Sequence, residues 1–165
     1  MSPGNGAGKS SSALAKSKVS RADAFRFYDR IRVRISRYLA EKGPAAGSAG
    51  EFLMAAPDMF ILLWRLANDP RVASKSKLLL GAGVAYFLSP LDLLPEFLFG
   101  PIGFLDDVVL GAFIVSRLLA DVDPEIVREH WSGREDILAF VHRVMSSSDR
   151  LVNPRVLKGL KRFFD

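Results

Sequence analysis

Four times the chain places a side-chain hydrogen-bond acceptor directly before a proline: Asp69-Pro70, Ser89-Pro90, Asp123-Pro124 and Asn153-Pro154. A short polar side chain at the N-cap satisfies N–H groups that a helix's first turn leaves unpaired, and proline suits the first helical position because it has no N–H to satisfy. Each pair therefore predicts a helix start. Between these points the apolar residues recur every three or four positions, and the β-branched residues are scattered through those patterns instead of gathered in short strands. The chain is expected to be all-α, a small helical bundle. Helices are expected at Arg21 to Glu41, from about Pro57 or a few residues earlier to Asn68, and at Pro70 to Leu88, Leu105 to Ala120, Pro124 to Trp131, Arg134 to Met145 and Pro154 to Phe164. Gly43 to Gly50 reads as a linker.

With 165 residues, one domain over 21–165 is expected, preceded by a basic tail over 1–20 whose Gly, Ser, Ala and Lys leave little to bury and predict disorder. Gly4 to Ser10 imitates a phosphate-binding loop, but Pro3 stands where the motif needs glycine and no strand precedes it. The absence of cysteine excludes a disulfide framework, thiolate zinc sites and cysteine nucleophiles. The first apolar run comes only after Ser48, too late for a secretory signal, so a cytoplasm-facing protein is expected. A net charge of +5 draws the chain toward anions, either lipid headgroups or nucleic acid. Nucleic acid is the weaker of the two, because the basic residues lack interleaved stacking aromatics or a known motif.

The basic residues are organised by helix. Arg26, Arg30, Arg34 and Arg37 recur along one face of the first helix, while Phe27, Ile31, Ile35, Tyr38 and Leu39 share another. The last helix repeats the design, with Lys158, Lys161 and Arg162 set against Leu157, Leu160 and Phe163. Such helices either rest on an anionic membrane with their cations among the headgroups or simply present a solvated face.

The stretch from Tyr86 to Asp107 combines long apolar runs with four acids and three prolines. Ser89 and Asp92 have capping-box spacing, Pro95 and Glu96 suit another helix start, and Asp106 and Asp107 fall near the positive end of the next helix. The alternative is that Asp92, Glu96, Asp106 and Asp107 converge, in which case mutual repulsion at low dielectric would hold a proton or a hard divalent cation. No nucleophile constellation and no cofactor motif is present. The apolar runs on either side are shorter than the roughly 20 residues that a span needs. A proline-broken helical hairpin entering one leaflet, or forming the core of a soluble bundle, is expected instead.

On Tyr86, Ser89, Pro90, Asp92, Pro95, Glu96, Gly103, Asp106 and Asp107 the chain resembles the YkvA-like family, a domain of unknown function with the pattern Tyr-x-x-Ser-Pro-x-Asp-x-x-Pro-Asp/Glu followed by glycine and a double aspartate. Asn68 to Val72 and the basic run after it look like the family's upstream flank, so the resemblance covers about 66–115. The stretch Phe97 to Ile102 is a residue longer than the commonest family form and moves its proline. The resemblance implies a small helical membrane-associated protein with no established activity, substrate or cofactor. A scaffold, regulatory or lipid-organising role at the membrane is therefore expected, with lipids and a homo-oligomer or protein partner as candidate contacts. A soluble all-α interaction module is the alternative, and a divalent-cation-dependent enzyme built on the central carboxylates is the third choice.

Overall fold

A computed structural model describes the backbone of residues 19–93, 103–151 and 154–164; the side chains of residues 48, 89–93, 103, 104, 106, 156 and 164 fall outside the description. All regular structure among the described residues is helical: α1 Arg21–Lys42, a 3-10 turn Gly43–Ala46, α2 Gly47–Met54, α3 Ala56–Ala67, α4 Ser74–Leu93, α5 Gly103–Leu118, α6 Pro124–His130, α7 Ile137–Leu151 and α8 Pro154–Phe164. The all-α expectation holds. The expected tail at 1–20 falls almost wholly outside the described residues, as do Pro95, Glu96 and the other residues between α4 and α5.

Helix α1 starts at Ser20, whose hydroxyl accepts from the Asp23 N–H at 3.1 Å. It buries Ala24, Phe27, Ile31 and Ile35, the apolar stripe read from its period. The expected linker at Gly43 to Gly50 is mostly helical instead. Gly43 and Gly47 adopt positive φ, 53° and 55°, and so turn the chain at two helix ends where an L side chain would be strained.

Helix α3 is apolar on nearly every face because it lies in the middle of the molecule, packed by α1, α2, α4, α5 and α6. Phe60 joins three helices, its ring 4.5 Å from that of Phe27 and 5.8 Å from that of Phe87. Helix α5 is the second central element, in contact with α2, α3, α4, α7 and α8. Glycine lets these helices approach closely. A Cβ on Gly83 would lie 2.6 Å from Ile114 Cδ1, and one on Gly111 would meet the Met59 side chain.

Two of the four acceptor–proline pairs do not start helices. After α3 the chain turns through 68–73 and α4 begins only at Ser74: Asp69 Oδ1 accepts from the Arg71 N–H at 2.8 Å, as an N-cap would, but the carboxylate is also drawn inward by the Arg71 side chain and His130, and the turn does not continue into a helix. At Ser89-Pro90 the helix runs on to Leu93. Pro90 removes only one N–H from a 20-residue helix that Leu80, Val84 and Phe87 anchor in the core. Asp123 behaves as expected, accepting from the Glu125 N–H at 2.9 Å with Pro124 first in α6. Helix α8 likewise opens at Pro154, although Asn153 is outside the described residues.

Candidate functional site

Helix α4 has two apolar faces. Leu80, Gly83, Val84 and Phe87 point into the core against α3 and α5. On the opposite side Leu78, Gly81, Ala82, Ala85 and Tyr86 are exposed, Leu78 by 76% and Tyr86 by 43%. Their spacing is that of one continuous helical stripe. A helix hydrophobic all round is ordinarily enclosed on all sides; this one is enclosed on one.

The motif residues divide around that helix. Tyr86 stands on the outer stripe, while Ser89, Pro90 and Asp92 lie in the backbone of α4 near its end. Gly103 opens α5, and Asp106 and Asp107 follow within its first turns. The Asp107 side chain is buried, with 2% exposed, beside the buried Leu105 and Val108. A carboxylate so placed faces the positive end of the α5 dipole. Among the described residues no group of three or more His, Asp or Glu side chains could hold a metal ion. Convergence of Asp92, Glu96 and Asp106 with Asp107 lies outside the described side chains.

The basic stripes are at the surface, while most of their apolar partners are turned inward. Arg26, Arg30 and Arg37 are exposed and Arg34 half-buried, while the apolar stripe of α1 is spent on the core. In α8, Lys158, Lys161 and Arg162 are exposed, Leu157 is buried and Leu160 half-buried, and the helix packs on α5 and α7. Among the described residues only Val33 and Phe163, the latter 76% exposed, project as large apolar groups beside these cations. Neither helix presents a continuous apolar face to lay into a bilayer, so the two stripes act as cationic surfaces.

A polar cluster with no signature in the sequence ties distant segments together. The Asp69 carboxylate, 4% exposed, accepts from Arg71 Nε and Nη2 at 3.1 and 2.8 Å and from the Arg71 backbone N–H at 2.8 Å. His130 Nε2 lies 2.7 Å from Asp69 Oδ2, and because an ionised carboxylate only accepts, that nitrogen carries the proton. The hydrogen bonds from Arg71, followed by that from His130, hold the Asp69 carboxyl well below the usual carboxylate range. Arg71 also pairs with Glu129 at 2.6 Å, and Arg65 donates to the His130 carbonyl and the Ser132 hydroxyl. The cluster pins α6 to the α3–α4 turn. Asp69 and Arg71, two residues apart, were visible as a local pair, but His130 is 61 positions away and no spacing connects it.

Residues 76–113 match the family described as "Protein of unknown function (DUF1232)", which takes in most of α4, the residues that follow it and most of α5. The "Uncharacterized membrane protein YkvA" of Bacillus subtilis is 45% identical over 49 residues, 29% of this chain and 45% of its own length. The central segment is YkvA-like. An "Uncharacterized protein ORF9" of Methanothermobacter thermautotrophicus is 27% identical over 77 residues, 47% of this chain and 53% of its own length. The chain thus spans about half the length of the curated relatives it matches. No solved structure matches it.

Proposed function

We propose that the protein attaches to one face of an anionic membrane and serves there as a scaffold, regulatory or lipid-organising component. The outer face of α4 would enter the headgroup–acyl boundary, with the arginines of α1 and the cations of α8 contacting headgroups. The observation that carries this reading is the exposed stripe Leu78, Gly81, Ala82, Ala85 and Tyr86 on a helix whose opposite face is already buried. Basic α1 and α8 surfaces complement an anionic leaflet, and a relative is named a membrane protein. Among the described residues no helix is long and apolar enough to cross a membrane, which favours entry into one leaflet over spanning.

Vesicle co-flotation tests the proposal. The protein is expected to float with phosphatidylglycerol-containing vesicles, less so in high salt, and Leu78→Asp is expected to lose most of the bound fraction without loss of fold, because residue 78 is exposed. Equal flotation of Leu78→Asp and the wild type would remove α4 from the contact. Flotation with no vesicle at all would turn the same stripe into a surface for a protein partner.

A further inference from the structure

A cleft of about 500 Å³ opens between α1, the start of α3 and the segment that joins α6 to α7. That size is typical of small-molecule sites. Its charged groups are unevenly satisfied. Glu51 and Glu135 both engage Arg143, at 3.0 and 2.9 Å, and the Arg143 guanidinium sits 4.7 Å from the centre of the Phe52 ring. These three are committed to the fold.

Asp58 differs. It lies half-buried in the first turn of α3, and its one hydrogen bond among the described residues comes from the Tyr28 hydroxyl at 3.3 Å, long for an O–H donor. No cation pairs with it within 4 Å among the described residues. Burial lifts its carboxyl above the ordinary value despite the Tyr28 bond and the charges of Arg32 and Arg65, which lower it. Arg32 and Arg134 line the same cleft without a carboxylate partner among the described residues, Arg32 lying over the Tyr28 ring at 5.7 Å. Trp131 forms an aromatic wall, held by its indole N–H on the Glu135 carbonyl at 2.7 Å and by the Phe140 ring at 5.4 Å.

An acceptor with unused capacity, two aromatic rings and two guanidiniums without a carboxylate partner among the described residues define the ligand by elimination. A simple cation is repelled by Arg32 and Arg134, and a simple anion by Asp58. A molecule carrying both charges satisfies both ends, and two guanidinium forks present more donors than a carboxylate can accept but suit a phosphate. We propose that this cleft binds an aminoalkyl phosphate, its ammonium held by Asp58 on the side of the Trp131 ring and its phosphate held by Arg32 and Arg134. The same chemistry occurs in a free phosphoester and in the headgroup of a zwitterionic lipid. The site does not depend on attachment through α4.

Calorimetric titration of the full-length protein with phosphoethanolamine and phosphocholine, with ethanolamine and inorganic phosphate as half-ligands, tests the assignment. At least one whole ligand is expected to bind about tenfold or more tightly than either half, since each end adds a charge-assisted contact. Asp58→Asn keeps an acceptor for Tyr28 and removes a carboxylate that burial disfavours, so its thermal midpoint is expected to be unchanged or higher while binding falls about tenfold. Arg32→Gln is expected to weaken the phosphate end alone. Binding should also weaken as the pH falls through the raised Asp58 titration, in the field of Tyr28, Arg32, Glu51, Arg65, Arg134, Glu135 and Arg143. Saturation by the soluble esters assigns a free ligand. If the esters fail but phosphatidylethanolamine or phosphatidylcholine vesicles bind in an Asp58-dependent way, the ligand is the lipid headgroup. Equal binding by wild type and Asp58→Asn, or no binding to esters or vesicles at millimolar concentration, overturns the proposal. Flotation with phosphatidylglycerol vesicles should be unaffected by Asp58→Asn, so failure here is separable from failure of the membrane reading.

Discussion

Asp69 and Asp123 begin the same kind of dipeptide, yet one became the buried centre of a polar cluster and the other an exposed cap. The difference lies in what reaches each carboxylate from elsewhere: His130 reaches Asp69, and no distant side chain among the described residues reaches Asp123. Local preference for capping is worth about 1 kcal/mol, whereas hydrogen bonds to a buried charge are worth about 1.5 to 3 kcal/mol each. At Asp69 the hydrogen bonds from the Arg71 side chain and His130 therefore outweigh the single cap-type bond to the Arg71 N–H. Asp69→Ala is expected to destabilise the protein by roughly 3 kcal/mol in urea unfolding, half-exposed Arg71 keeping the loss from the top of the range for buried pairs, and Asp123→Ala by about 1 kcal/mol. Similar losses at the two sites would contradict the buried-cluster account. The sign of the pH dependence follows as well. The folded-state Asp69 carboxyl titrates below its unfolded value near 3.8, so its contribution is fully present above that value and is lost as the pH falls toward the folded titration. Acid unfolding of Asp69→Asn should accordingly show a shallower slope below about pH 4 than the wild type.

Helices, as elements, were legible wherever a single face had to be buried. The 3.6 period located α1 and α8 to within a few residues, because burial of one stripe is what fixes such a helix, whereas α3 and α5 were legible as apolar runs too long to be left exposed. Boundaries decided by distant packing were not legible: α4 runs past Pro90, and the glycine-rich stretch before α3 contains the start of α2. Ser89 gives this a measurable form. As an N-cap, Ser89→Ala would cost about 0.5 to 2 kcal/mol, but inside a continuous helix alanine is the better helix former by a few tenths. Ser89→Ala is thus expected to leave the urea midpoint unchanged or slightly higher, and a loss of about 1 kcal/mol or more would restore the cap. The arginine stripe of α1 can be weighed in the same way. Each basic residue near an anionic leaflet contributes about 1 kcal/mol, so replacing Arg26, Arg30 and Arg37 together with Gln should lower partitioning onto phosphatidylglycerol vesicles roughly a hundredfold. These side chains are exposed, so thermal stability should change little. An undiminished partition coefficient would mean that the stripe is only a solvated face.

In the whole molecule the decisive feature is how apolar surface is shared between core and exterior. The sequence could show that 49% of the chain is hydrophobic and that no run was long enough to span a bilayer, but not which apolar residues would find partners. Packing of α3 by five neighbours, the burial of the α1 stripe and that of Leu157 in α8 consume most of that surface. The outer face of α4 remains, and the cleft at Asp58, assembled from α1, α2, α3, α7 and the α6–α7 segment, was beyond any local pattern. This distribution makes a definite statement about attachment strength. A protein held by cations and one exposed helix face lacks the roughly 20-residue apolar span that makes insertion effectively irreversible. High salt should screen the arginines and release part of the membrane-bound protein, because exposed charges are screened beyond about 3 Å at 1 M ionic strength. Alkaline carbonate, which opens membranes into sheets, should release the remainder without detergent. Retention through both washes, with release only on solubilising the lipid, would mean that the hairpin of α4 and α5 enters the bilayer more deeply than its exposed face accounts for.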